Sequence, residues 1–361
     1  MTNQTPLLSL DYIPKLPGKA DYGIGCVGAG QIMNQAHLPA YRKAGFRVLA
    51  ITDANRQAAE DTAKKFGIPR VCGTVKELLD IPGIDIADIA VPAISNPELS
   101  AQALAAGKHV LVQKPMAETL AAAERMAASA HAAKRKLAVN HQMRWSPSVR
   151  AASDLLKRGL LGELVEFSLQ IQIRTNWNAW PWLQALPYGE LYYHTIHHID
   201  TIRGWFREPN RIYASLADFP GSGCSGPTRS YILFEYPGCL RGSILVNHHS
   251  SAPEEDLIAK FTIDGTEGRC EGLLGLLLNY PTGRSDLLRF SHRSLTPNGH
   301  VEMELEGRWF PDAFIGPMSS LMDAITNDTE PETSGDDILG TLRLLDAVRT
   351  SHETGQAVNL R

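Results

Sequence analysis

The sequence predicts a doubly wound α/β nucleotide-binding domain followed by an α+β domain with a large, mostly antiparallel open sheet. Three observations carry that prediction. From residue 22 to about 142, apolar strand-like runs alternate with alanine-rich stretches of helical period, the pattern of parallel strands joined by crossover helices. A glycine turn, Gly28-Ala29-Gly30, follows the first run and opens a helix. After residue 144 strand-like runs follow one another directly, which argues for antiparallel pairing.

In chain order, residues 1–21 read as an arm broken by Pro14 and Pro17, without the basic segment and apolar core of a secretory signal. The cofactor domain spans 22–144, with strands over 23–27, 47–52, 86–91, 109–112 and 136–140. Helices over 55–66, 97–106 and 119–135 are rich in good helix formers. The second domain spans 145–361. It opens with a short helix over 148–158 and continues in strands over 163–174, 211–217, 230–236, 241–247, 257–263 and 268–278. Amphipathic helices over 314–326 and 336–352 close the chain.

Composition narrows the function. The net charge of −4 comes with no run of like charges, so nucleic acid and anionic membranes are not expected partners. No apolar stretch approaches the roughly 18 to 20 residues that span a bilayer. Five scattered cysteines, never spaced as a CxxC pair, suit small buried residues in a reducing compartment, and the expected location is cytoplasmic.

The chemistry-bearing residues come in three groups. Gly28, Ala29, Gly30, Gln31 and Ile32 form a turn whose small residues admit a pyrophosphate to a helix N-terminus; Met33 stands where the fingerprint has its third glycine, so packing there must be solved differently. Asp53, ending the second strand, suits the ribose hydroxyls of NAD and repels a 2′-phosphate, although Arg56 nearby would tolerate NADP; capping of the next helix is the alternative role for Asp53. Lys114 follows a strand whose end opens into the crevice of such sheets, and Pro115 restricts its backbone.

The glycine loop, Asp53, the run AGKHVLVQKP, the segment HTIHHID and the ending SGDDILGTLRLLDAVRTSHETGQAV together resemble the Gfo/Idh/MocA family of glucose–fructose oxidoreductases and inositol dehydrogenases. LYYHTIHHID with WFPDAF resembles the branch containing D-apiose dehydrogenases. The resemblance spans residues 22 to 358. It implies a Rossmann domain, bound NAD(P), a second domain for substrate binding and oligomerisation whose open sheet often mediates oligomers, here expected as a homodimer or homotetramer, and a lysine and a histidine that handle a sugar hydroxyl. Those two are Lys114 and His197, with the choice of proton acceptor left open and Asp200 as a candidate orienting partner of His197. The expected cofactor contacts are Gly28, Ala29, Gly30, Gln31, Ile32, Asp53, Arg56, Pro92, Asn96, Gln113, Lys114, Asn140 and Arg144. Two departures stand out: Gln113 replaces the family's usual glutamate, and Tyr193 stands where many members carry aspartate.

Tyr193, His194, Asn176, Trp180 and Asp312 are the expected substrate contacts, because indoles and amides suit sugar faces and hydroxyl edges. Trp309 is expected to line the same pocket. A metal site built from His194, His197 and His198 with His248 or His249 is the minor alternative, and no metal is expected. The expected reaction is oxidation of a small sugar or polyol, such as a pentose, with NAD. The alternatives are an NAD-bound sugar sensor and a redox-neutral glycosidase or isomerase that recycles its cofactor.

Overall fold

A computed structural model of the chain describes residues 9–360; the first eight residues of the expected arm lie outside that range. Six parallel strands, β1 (Gly23–Val27), β2 (Arg47–Thr52), β3 (Arg70–Val71), β4 (Ile84–Ile89), β5 (His109–Gln113) and β6 (Leu137–Asn140), form the first sheet in the order β3-β2-β1-β4-β5-β6. The order reverses between β1 and β4, and ligands bind such sheets at the carboxyl ends of the strands beside that reversal. The two-residue β3 is too short to leave a period in the sequence, and β4 begins two residues earlier than expected. The cores of these strands are buried on both faces, which is why they read as continuous apolar runs.

Nine strands form the second sheet: β7 (Leu164–Gln172), β8 (Arg211–Ala217), β9 (Arg229–Glu235), β10 (Arg241–Asn247), β11 (Ile258–Gly265), β12 (Gly268–Leu273), β13 (Leu287–His292), β14 (Val301–Glu304) and β15 (Val358–Asn359). Their order is β14-β13-β12-β11-β7-β10-β9-β8-β15, and β7 with β10 is the parallel pair. Strict alternation in β8 and β9 buries Ile212, Ala214, Leu216, Ile232 and Phe234. Beneath that inner face lie the helices Ile196–Phe206 and Gly335–Thr354. The outer face keeps Tyr213, Tyr231 and Leu233 exposed, with Tyr213 directly opposite Leu233.

The two sheets do not divide the chain cleanly. Phe314, Ile315, Met318, Leu321 and Met322 share a core with Ile24, Cys26, Met33 and Ile51, so the helix Ile315–Asn327 returns to cover the first sheet. Thr333 then bonds both polar groups of Val139 in β6, its carbonyl accepting from the Val139 amide at 2.8 Å and its hydroxyl donating to the Val139 carbonyl at 2.7 Å.

Candidate active site

The glycine turn has the shape a dinucleotide requires. Gly28 adopts φ +104°, and a Cβ there would stand 2.4 Å from the Ala90 carbonyl oxygen, so only glycine fits. Nothing of the protein lies within 4 Å of a Cβ placed on Gly30, leaving an open cradle where a pyrophosphate would approach the backbone. The Ala29 N–H donates to Asp53 Oδ2 at 2.7 Å and the Asn55 N–H to Oδ1 at 2.7 Å. The helix cap is supplied by Asn55, which accepts from Ala58 N–H, so Asp53 is free of the capping role weighed for it and faces the turn. Met33 is wholly buried, and the helix widens into a π turn over Met33–His37. That turn, with its extra residue, begins at the position where the fingerprint has glycine. These features fit a nicotinamide dinucleotide.

Other expected cofactor contacts have different work. Pro92 stands exposed past β4, and Gln31 is exposed beside the cradle. Arg56 is exposed and paired with Glu60 at 2.8 Å. Asn96 is fully buried and donates to the carbonyls of Gln113 and Pro115 at 3.2 and 3.1 Å, gripping the backbone on both sides of Lys114. Asn140 is equally buried and donates to His37 Nε2, which also meets Gln113 Oε1, both at 3.1 Å. Asn96 and Asn140 thus brace the strand ends around Lys114, and both side chains are fully buried. Arg144 is engaged within the protein as well. Its guanidinium bonds Asp200 twice, at 2.8 and 2.7 Å, then Asp337 at 2.8 Å and the Glu332 carbonyl at 3.2 Å, which commits nearly every donor it has.

Lys114 extends from the end of β5 toward the second domain. Its Nζ donates to the Tyr193 carbonyl at 2.6 Å and lies 5.6 Å from the Tyr193 ring centre. Tyr193 sits in a second π turn, Leu191–Thr195, where the ordinary helical ladder is interrupted. Burial pulls the Lys114 pKa down to about 7. His197, one turn further along, has its pKa held well below 6.5 by burial first and by the charge of Lys114 next. The two side chains therefore stand within electrostatic reach of each other. His197 Nδ1 is buried without a partner, so Nε2 is the nitrogen left to meet a ligand. Asp200 does not orient it: that carboxylate is taken by Arg144 and by the Thr341 hydroxyl at 2.8 Å, with His141 Nδ1 3.3 Å away.

Around this pair the second domain supplies mostly aromatic walls. His197 meets Trp309 edge-on at 5.6 Å, and His194 meets Trp177 at 5.1 Å and Trp180 at 6.2 Å. Burial first, then the neighbouring His248 and Lys114, hold the His194 pKa well below 6.5. Burial raises the Tyr193 pKa to about 12. The Trp180 indole N–H donates to Gln31 Oε1 at 3.3 Å, joining the tryptophan loop to the cofactor turn. Asn176 is exposed and makes no side-chain hydrogen bond among the described residues, while its neighbour Trp177 is buried in the wall. Asp312 accepts from Lys43 at 2.8 Å and from the Arg308 N–H at 3.0 Å. It lines a separate open cleft with Glu304, Glu306 and Arg308.

Sequence reasoning gave no role to His141, whose ring lies 6.5 Å from His197, nor to the buried Glu190. No local period marks either residue; His141 becomes visible only when the end of β6 meets the histidine helix, and Glu190 only when that helix meets β9 and the end of β10. Buried polar atoms without a protein partner gather here, on His141, Trp177, His194, His197, His198 and Trp309. Among the described residues no group of three or more His, Cys, Asp or Glu side chains is arranged to hold a metal ion.

Known proteins bear on this arrangement. A family profile described as "Oxidoreductase family, NAD-binding Rossmann fold" matches residues 22–141, and one described as "GFO/IDH/MocA C-terminal domain" matches residues 149–271. D-apiose dehydrogenase of Paraburkholderia graminis is 26% identical over 341 residues, covering 93% of this chain and 88% of its own. An oxidoreductase of Agrobacterium radiobacter, solved with NAD+, L-tartaric acid and magnesium, superposes with a TM-score of 0.81 at 21% identity over 94% of this chain and 98% of its own. A levoglucosan dehydrogenase solved with NADH and levoglucosan gives 0.79 at 20% identity over 94% and 99%.

Proposed function

This chain belongs to the Gfo/Idh/MocA family of NAD-binding oxidoreductases, and from that premise we propose that it oxidises a hydroxyl of a small, uncharged sugar or polyol with NAD. The observation that carries the reading is the meeting of Lys114, from the end of β5, with the helix that bears His197. Gly28, Ala29, Gly30 and Asp53 would hold the cofactor, and the Asp53 carboxylate, which would repel a 2′-phosphate, favours NAD over NADP, with the nearby Arg56 paired to Glu60. Bound there, the nicotinamide would accept the hydride from the carbinol carbon.

The chain's own residues supply the proton chemistry. With a pKa near 7, Lys114 as the neutral amine takes the hydroxyl proton, leaving a carbonyl product and an ammonium. His197, whose pKa is far lower, is a poor acceptor at neutral pH and instead donates from Nε2 to the same oxygen. The Tyr193 carbonyl holds the amine in place through the transfer. An uncharged substrate follows from what surrounds these groups. Arg144, the guanidinium at the end of β6, is committed to its ion pairs and is not free to meet an anion. Aromatic faces and imidazoles remain, and these suit sugar rings and hydroxyls.

The dehydrogenase named for D-apiose makes that pentose the first substrate to try. The free cysteines suit a cytoplasmic setting, and no helix among the described residues is long and apolar enough to cross a membrane. The test is direct. Purified protein with NAD and a panel of D-apiose, D-xylose and levoglucosan should form NADH with at least one of them. Lys114→Ala and His197→Ala should each lower kcat by about 10²- to 10⁴-fold while NAD affinity stays within about threefold. A variant that keeps full turnover removes that residue from the mechanism.

A further inference from the structure

Behind the histidine helix lies a polar cluster that the reaction does not use. Glu190 is 2% exposed and stands just before the π turn, whose extra residue brings position i+5 over position i. Thr195 is that position, and its hydroxyl donates to Glu190 Oε1 at 2.5 Å. The Ser230 hydroxyl in β9 donates to Oε2 at 2.7 Å. His248, just past β10 and 3% exposed, brings Nε2 to 3.4 Å from Oε1, and its Nδ1 pairs with the Thr175 hydroxyl at 2.7 Å. The His248 ring then lies 4.9 Å from the His194 ring and 5.3 Å from Trp177.

His194 has no hydrogen-bonded support of its own, because its Nδ1 is buried without a partner. Packing by His248 and Trp177 is what holds its ring. A buried carboxylate costs stability unless its lone pairs are filled, and here two hydroxyls fill them while an imidazole stands at ion-pair distance. We propose that Glu190 and His248 are positioning residues for substrate recognition: the carboxylate anchors His248, and His248 with Trp177 sets the His194 ring so that Nε2 meets a sugar hydroxyl. His194 precedes His197 by one helical turn, about 5 to 6 Å between side-chain origins. The hydroxyl it meets is therefore not the one being oxidised, and the cluster governs substrate capture and not the chemical step.

This rests on the dehydrogenase reading, and two measurements separate the claims. The kinetic one uses His248→Phe, which keeps a ring and removes both nitrogens, Glu190→Gln, which keeps an acceptor for one of the two hydroxyls and removes the negative charge that faces His248, and His248→Gln, which returns an amide near Glu190. With whichever of D-apiose, D-xylose or levoglucosan the wild type oxidises, KM should rise about tenfold or more in the first two variants. Their kcat and NAD affinity should stay within about threefold, and His248→Gln should recover part of the loss. The second measurement needs no turnover: the ring spectrum of His194 in 15N-histidine-labelled protein, assigned with His194→Gln, should change in Glu190→Gln. An unchanged KM together with an unchanged His194 spectrum overturns the proposal, as does a parallel collapse of kcat, KM and NAD binding. If the wild type forms no NADH with any sugar, the dehydrogenase reading fails by itself, and the spectrum still decides whether Glu190 sets His194.

Discussion

Lys114 sits where its charge is unwelcome, and that sets how activity should follow pH. Burial lowers its pKa to about 7, and oxidation of a hydroxyl needs the neutral amine. Oxidative kcat should therefore climb as pH rises through about 7 and level off above it, with the reverse reduction favoured on the acid side. A rate profile flat from pH 6 to 9 would exclude Lys114 as proton acceptor. His197 adds no second ascending limb in that window, because its own proton is lost well below 6.5. Both residues were legible in the sequence, one at a strand end and one in a helix. Their partners were not. Asp200 lies three residues from His197 and shares its helix, yet Arg144 from the end of the first sheet claims it; short-range spacing could not anticipate a partner 56 residues away.

Two helices at the site each contain a π turn, over Met33–His37 and over Leu191–Thr195. The glycine turn signalled the first helix, but nothing in the sequence marked the extra residue in either, because one inserted position leaves no local signature. The loop before the second helix was expected from its tryptophans, and the structure divides them: Trp177 goes inward, Trp182 stays exposed, and Trp180 bridges to Gln31. Since Gln31 borders the cradle that would hold the cofactor, Trp180→Ala should speed NADH release by several-fold in stopped-flow fluorescence, and Gln31→Ala should do the same. An unchanged release rate in both would mean that the bridge does not retain the cofactor. Elements with strong alternation, β8 to β10, were read almost residue for residue. Strands β13 and β14, which form an edge with partly exposed faces, carried too weak a pattern to be seen.

At the scale of the molecule the domains are tied by charge as well as by apolar contact. Arg144 holds Asp200 and Asp337, and Arg203 holds Asp337 from the other side at 2.8 Å, so the end of β6, the histidine helix and the last helix share one ion-pair junction. Arg144 and the histidine that faces it keep the Asp200 pKa far below the ordinary carboxylate range despite burial. A carboxylate with its folded pKa depressed gives stability that is present above its unfolded value and lost as pH falls through the folded one. That contribution is thus complete at neutral pH and survives mild acid. Asp200→Asn should cost about 3 to 5 kcal/mol, read as a lower urea midpoint at pH 7, and a loss below about 1 kcal/mol would contradict the buried pairing. On the far side of the second sheet, Tyr213, Tyr231 and Leu233 form an exposed apolar patch suited to a second copy of the chain. Leu233→Arg should lower the mass read by light scattering, and an unchanged mass would mean that this face forms no interface. The helix Ile315–Asn327, which closes one face of the first sheet, also dictates when that sheet can be completed during synthesis. Its covering side chains do not exist until residue 327 of 361 has been translated. Until then nascent chains carry Leu111 of β5 and Ala138 of β6 without that cover, and products that terminate earlier present a bare surface to chaperones and proteases.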